Sequence, residues 1–513
     1  MAAPLVKAER ASDGKKEATK TGPAQIRTFV FFDLETTGLD QPRQITEISL
    51  AAVRRDQLLT GTTVPPGGAS LPRIMDKFTA CVRPRRDIHP KAAEITKLTN
   101  QSLGKHRVFD EDLVKSVVHL LNRQEPPVCL VAHNGDRFDF PILRAELTES
   151  ETVDLFPQNV LCADTMVAIK DLYAGQFKSF SLPKIHENLF GVAPPPDVAH
   201  TAEGDVITTI KIVKKLGPEE ILQWMDNNSA AFLLAGKSFA TGPPKSHQIQ
   251  CRMAQRSIAS FFAPRAKTTK QDTSASGEIS APLVEAGKLS DGKKEEATKA
   301  GSSKIQTFVF FDLETTGLDQ PRQITEISLA AVRRDQLLTG TTVTQRRASL
   351  PRIMDKFTAC VRPRRDINPK AAKITKLTNP SLDNHRVFDE DLVKSIVHLF
   401  NRQEPPVCLV AHNGDRFDFP ILRAELTESE TVDLFPQDVL CADTMVAIKD
   451  LYAGQFKSFS LPKIHKNLFG VAPTPEVAHT AEGDVITTIK IVKKLGAEEI
   501  LQWMDNNSAA FVL

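Results

Sequence analysis

Residues 26–234 of this 513-residue chain return almost unchanged as residues 305–513. The two stretches align without a gap and differ at about 18 of roughly 209 positions, so the chain must fold one pattern twice. Each stretch is long enough to close a hydrophobic core by itself, unlike the roughly 20–45-residue repeat of a solenoid, which needs its neighbours. Two similar domains in tandem are therefore expected, at 26–234 and 305–513. The arm before the first copy (1–25) is polar and Lys-rich, and the connection (235–304) is rich in Ser, Thr, Lys, Gly and Ala; both read as disordered, the second as a flexible linker. Part of the arm is repeated as well, APLVKAERASDGKKEATK returning as APLVEAGKLSDGKKEEATK. Met253 opens MAQRSIASFFAP, which resembles a natural N-terminus, so one polypeptide and two neighbouring gene products both stay open. A transcript spanning 246–253 decides for one.

Composition narrows the class. Lys and Arg total 65 against 63 Asp and Glu, so any nucleic-acid binding must come from local basic patches. No apolar run of about 18 residues is present, and the N-terminus lacks a signal-peptide core, so no membrane partner is expected. Seven scattered cysteines without a CxxC pair fit reduced thiols in the cytoplasm or nucleus rather than a disulfide framework or a zinc site.

Each copy reads as α/β. Residues 29–34 form a continuous apolar run, the mark of a central strand, and 44–53, 77–82, 128–132 and 160–163 are further strands. Helical spacing covers 111–121, 140–147, 206–216 and 218–226, with Pro141 and Pro218 near helix starts, where proline is tolerated.

The strand at 29–34 ends in FFDLETTGLD, which occurs again at 310–319. Asp33 and Glu35, and again Asp312 and Glu314, are two residues apart, so each pair shares one face of its strand. Two such carboxylates at the end of a buried strand repel one another unless a cation lies between them. Asp139 follows in AHNGDRFDFPIL, and His200 and Asp205 in HTAEGD; Asp418, His479 and Asp484 occupy the same contexts in the second copy.

DxE, then HNxxxFD, then HxAxxD resembles the DEDDh 3′→5′ exonucleases, and FFDLETTGL, VAHNGDRFDFPIL and AHTAEGDV are similar to the animal three-prime repair exonucleases. The resemblance covers nearly all of each copy. It implies two ribonuclease H-like domains, each a five-stranded mixed sheet with helices on both faces. It also implies that Asp33, Glu35, Asp139 and Asp205, with Asp312, Glu314, Asp418 and Asp484, hold metal ions. Hard carboxylate oxygens select Mg²⁺, or Mn²⁺ in its place, and two ions per site can clamp the attacking and leaving oxygens of a phosphodiester. His200 and His479 then fit the general base, since an imidazole titrates near neutral pH. The resemblance implies that the product is a nucleoside 5′-monophosphate released from a DNA 3′ end, single-stranded or frayed. Because each copy ends just after DNNSAAF, the short, tailless type of the family is expected.

By the same resemblance, Leu39, Ile95 and Phe138, with Leu318, Ile374 and Phe417, wedge and stack terminal bases. Arg137 and Arg416, and Lys178, are candidates for phosphate contact; core packing is the lesser alternative for Ile95. His133 is balanced between contacting substrate and satisfying backbone groups. Asp136 and Glu203 read as solvated or capping, Asp164 as structural, and 174–181 as a polar, mobile loop near the entrance.

In the linker, Gln255, Ile258, Phe261 and Phe262 spell QxxIxxFF across 255–262, similar to the box that binds the sliding clamp, proliferating cell nuclear antigen. The family also pairs as homodimers, so the two copies are expected to pair within one chain, or the chain with a second copy. Two other readings remain: a DEDDh RNA exonuclease, distinguished only by 2′-OH contacts, and a non-catalytic DNA-end-binding clamp adaptor.

Overall fold

The structure, a computed structural model, describes residues 25–60, 71, 74–195, 199–233, 304–339, 350, 353, 355–474 and 478–511. The clamp-like box and both arms lie outside the described residues. In the first copy the strands are β1 (Thr28–Thr36), β2 (Ile45–Arg54), β3 (Asp76–Cys81), β4 (Val128–Ala132), β5 (Leu161–Asp164) and β6 (Ala230–Ala231). The helices are α1 (Arg55–Leu59), α2 (Pro90–Thr96), α3 (Asn100–Leu103), α4 (Glu111–Asn122), α5 (Asp139–Glu149), α6 (Thr165–Leu172), α7 (Leu182–Phe190), α8 (Ala202–Leu216) and α9 (Pro218–Asn228). β1 pairs antiparallel with β2 and parallel with β4, so the sheet is mixed, as expected. A two-residue sixth strand, β6, is added to the five expected; it pairs antiparallel with β5.

β1 explains the architecture. Thr28–Phe32 is buried on both faces, and from Asp33 onward burial alternates, with Asp33 and Glu35 half-buried between Leu34 and Thr36. Phe29 and Phe31 belong to the core that Val206, Ile210 and Val213 of α8 and Ile221, Leu222 and Met225 of α9 complete. Phe32, on the opposite face, meets Phe140 of α5 with ring centroids 5.4 Å apart. Helices thus cover both faces. Asp33 and Glu35 share the face of Phe29 and Phe31, the one beneath α8.

The second copy repeats this with β7 (Thr307–Thr315), β8 (Ile324–Arg333), β9 (Asp355–Cys360), β10 (Val407–Ala411), β11 (Leu440–Asp443) and β12 (Ala509–Ala510). Ala497 replaces Pro218 without changing the path of the chain: the two helices meet at the same non-helical glycine in both copies, Gly217 (φ 132°) and Gly496 (φ 134°).

The edge strands β3 and β9 pair antiparallel, Phe78 opposite Phe357, and join the two sheets into one of twelve strands. Neither strand is left as an open edge. Arg123, at the end of α4, donates to the Cys360 carbonyl (3.2 Å), and Arg402 reciprocates at the Cys81 carbonyl (3.0 Å). His119 and His398 stack across the same boundary, centroids 5.6 Å apart. Among the described residues, no helix is long and apolar enough to cross a membrane.

Candidate active site

The site is assembled at the end of β1 by two helix starts. Because Asp33 and Glu35 face α8, and Asp205 sits in the first turn of α8, one oxygen from each of the three lies within 4.8 Å of the other two. Asp312, Glu314 and Asp484 form the same group in the second copy. Asp139 enters from the other face: it is the first residue of α5, is buried, and its Oδ1 accepts the Leu34 backbone N–H at 3.2 Å. It stands beside the three-carboxylate group rather than within it. α5 and α8 begin at 139 and 202, earlier than the apolar spacing indicated, because each opens on its polar site residues.

Electrostatics shows the strain of this arrangement. Burial, then the nearby charges of Asp139, Asp205, Glu35 and Glu47, push the Asp33 carboxyl well above its ordinary range. Burial raises Asp139 to about 8, against the backbone N–H of Leu34. Asp205 is raised to about 6, again chiefly by burial, although the His200 N–H lowers it. Asp418 is likewise raised to about 8, chiefly by burial, against the backbone N–H of Leu313. A hard, all-oxygen donor set whose buried carboxyls repel one another fits a divalent cation.

His200 sits just before α8, is exposed, and has φ 62°; His479 repeats this. Leu39 (57 % exposed) lies on the turn after β1, and Ile95 (45 %) on α2. Arg43 holds that turn, donating to the Leu39 carbonyl at 3.0 Å while lying over the Phe138 ring at 5.1 Å. Leu318, Ile374 and Phe417 are placed alike, with Arg322 over Phe417. Arg137, Arg416 and Lys178 are exposed.

Of the two readings left open for His133 the structure matches the second, and two expectations need correction. Both ring nitrogens of His133 are engaged within the fold, with Thr165 Oγ1 and the Phe180 carbonyl, each at 2.9 Å, so it secures the 174–181 segment. That segment is pinned as well by Phe177 and Phe180, which pack edge to face with centroids 6.0 Å apart, rather than being a purely polar loop. Glu203 is not simply solvated: the other copy's edge strand covers it, and Lys356 Nζ reaches it at 2.5 Å. Lys77 makes the reciprocal ion pair with Glu482, beside Asp484. Burial raises Glu482, but Lys77 and Lys356 prevail and hold it at about 2. Asp164 behaves as expected, capping α6 and accepting the backbone N–H groups of Asn134 and Asp136.

Glu47 escaped the sequence reading. It is a buried carboxylate on β2 opposite Glu35, and it accepts the Ala202 N–H at 2.8 Å, fixing the start of α8. Its signal was one acid inside an otherwise apolar strand, ITEISLAAV.

A mixed sheet carrying a carboxylate cluster between two helix starts, twice per chain, defines a hydrolytic nuclease built in duplicate. A family model described as "Exonuclease" matches residues 30–213 and 309–492, and the chain belongs to that exonuclease family. Over 225 residues it is 40 % identical to three-prime repair exonuclease 1 of Bos taurus, covering 41 % of this chain and 70 % of that one. It is 40 % identical over 222 residues to three prime repair exonuclease 2 of Mus musculus, covering 41 % of this chain and 92 % of that one. Among solved structures, a zinc-bound E. coli ExoI–ssDNA complex aligns at 20 % identity and TM-score 0.30, covering 39 % of this chain and 42 % of that one.

Proposed function

We propose that residues 26–234 and 305–513 are two catalytic domains, each removing nucleoside 5′-monophosphates from DNA 3′ ends. The observation that carries this reading is the three-carboxylate group at the end of the central strand, present in both copies. Asp33, Glu35, Asp139 and Asp205, and their counterparts Asp312, Glu314, Asp418 and Asp484, would hold two Mg²⁺ ions, with Mn²⁺ as a substitute. Bound there, the ions supply the positive charge that a phosphodiester needs in order to accept a nucleophile. His200 and His479, exposed just before the helix that carries the last carboxylate, take the proton of the attacking water. Leu39 and Ile95 offer apolar surface to the terminal base, and the Arg43–Phe138 stack stiffens the turn that bears Leu39. The names of the similar proteins favour repair of DNA 3′ ends.

The test is degradation of 3′-ended DNA and RNA oligonucleotides by the wild-type chain, Asp33→Ala, Asp312→Ala and the double variant, in Mg²⁺ and in EDTA. Each single variant keeps one working site. The double variant and the EDTA samples should lose at least about a thousandfold in rate. Full activity in the double variant refutes the mechanism, and degradation of RNA alone favours the RNA exonuclease reading. The linker segment 252–267 is proposed to bind the sliding clamp; a titration of that peptide showing no binding up to about 100 μM removes this part.

A further inference from the structure

The near-identity of the two copies makes their few differences readable as a controlled comparison. In each copy the exposed apolar pair beside the site is carried by two elements that touch. The His89 backbone N–H donates to the Thr37 carbonyl at 2.8 Å, as Asn368 does to Thr316, so the helix bearing Ile95 or Ile374 is docked on the turn bearing Leu39 or Leu318. Immediately before that isoleucine the first copy has Glu94 and the second has Lys373, both exposed. The exchange changes the local charge from −1 to +1.

It also completes a pattern. In the second copy Lys370, Lys373 and Lys376 are exposed at three-residue spacing along PKAAKITK. In the first, Glu94 interrupts Lys91 and Lys97. A second reversal has the same sign: Glu187, ion-paired with Lys184 at 2.7 Å on α7, is replaced by Lys466. Four changes have the opposite sign: Gln306 for Arg27, just before the central strand; Asp438 for Asn159, just before β11; Asp383 for Gly104; and Asn384 for Lys105, which falls where the copies meet, since Lys105 pairs with Glu404. Asp383, in place of Gly104, follows the next short helix, Asn379–Leu382.

We infer that the two active sites are not equivalent, and that the second captures the nucleic-acid strand more tightly because Lys373 stands where the first site has Glu94. This rests on the DNA-end reading above. The physical reason is range. A phosphate beside a base stacked on Ile374 falls within about one Debye length, roughly 8–10 Å at physiological salt, of a side chain on the neighbouring residue. A lysine there releases a condensed counterion when the strand binds, and a glutamate repels the strand. The second site also differs in its rim. Asn368 donates to the Asp319 carboxylate at 3.2 Å, and Leu318 is 75 % exposed against 57 % for Leu39.

The test uses the full chain with one site disabled at a time: Asp312→Ala leaves the first site, and Asp33→Ala leaves the second. KM and kcat are measured on a single-stranded 3′-ended DNA oligonucleotide at about 50 and about 200 mM salt. The second site should show a KM about three- to tenfold lower at low salt, the gap closing at high salt, with kcat differing less. Glu94→Lys in the first-site form and Lys373→Glu in the second-site form should exchange the KM values. Equal KM values and equal salt slopes overturn the inference, and a gap that survives the exchange overturns its assignment to this position. If neither form degrades DNA, the DNA-end reading itself fails. Anisotropy titration of the intact chain in EDTA gives a second readout: Lys373→Glu must weaken binding and Glu94→Lys must strengthen it, and no change in either overturns the inference.

Discussion

Asp139 and Asp418 show how much of this site is written in single residues. Each is the first residue of a helix, buried, with its carboxyl raised to about 8 chiefly by burial. A group raised on folding binds its proton more tightly in the native state. The stability it contributes is therefore present below the unfolded value near 4 and is lost as pH rises through about 8. In EDTA, the melting temperature should fall between pH 6.5 and 8.5. With Mg²⁺ or Mn²⁺ it should rise instead, because the cation competes with the proton and takes the carboxylate form. Calorimetry across that window checks both slopes, and metal binding at pH 7 should release protons into the buffer. A metal-independent slope would mean that these carboxyls do not face the ion. Gly135 offers a second residue-scale test: a Cβ there would lie 2.7 Å from both Ala132 Cβ and a Phe140 ring carbon. Gly135→Ala should cost about 1–3 kcal/mol, read from denaturant unfolding.

At the scale of elements, the turn after β1 and helix α2 act as one piece. Gly38 has φ 141°, and a Cβ on it would sit 3.0 Å from His89 Cβ, the residue that caps α2. Gly38→Ala should therefore push α2 outward and raise KM by about tenfold, with a smaller effect on kcat; Gly317→Ala should do the same at the second site. Equal loss in kcat and kcat/KM would place the damage at the carboxylates instead. This coupling was only half legible in the sequence. The apolar run at 29–34 and its DxE ending identified the central strand and two ligand candidates, because burial and alternation are local signals. Leu39 and Ile95 came from a family likeness, since nothing local brings α2 onto the turn. Glu47, Lys77 and Lys356 were invisible for a related reason. Their partners lie far along the chain, Glu47 at Ala202, Lys77 at Glu482 and Lys356 at Glu203. The edge-to-edge pairing that brings the two lysines into place leaves no periodic trace.

Among the described residues the two copies share one sheet of twelve strands, so the two sites are not independent passengers on a tether. Each copy's edge strand sends a lysine to the start of the other copy's catalytic helix. Lys356 reaches Glu203, two residues before Asp205, and Lys77 reaches Glu482. In the one-site forms, Lys356→Met should lower kcat at the first site by about tenfold, and Lys77→Met should do so at the second; Lys356→Met should also lower kcat at the second site, by less, through its longer contact with Glu482 at 3.9 Å. The boundary also has a pH limit. His106 is buried among Asp355, Arg333, Arg402 and Asp335, and His385 among Asp76, Arg54 and Arg123, and burial lowers both to about 4. A histidine depressed on folding is protonated first in the unfolded chain, so stability falls as pH drops below about 6.5 and the loss levels off near 4. At pH 5 each should cost about 2 kcal/mol relative to pH 7. Urea unfolding at the two pH values, for the wild type and for His106→Phe with His385→Phe, measures this directly. If the double variant loses as much stability on acidification as the wild type, the acid sensitivity lies elsewhere. If its loss is smaller by about 4 kcal/mol, the two histidines at the boundary set the acid limit of the paired state.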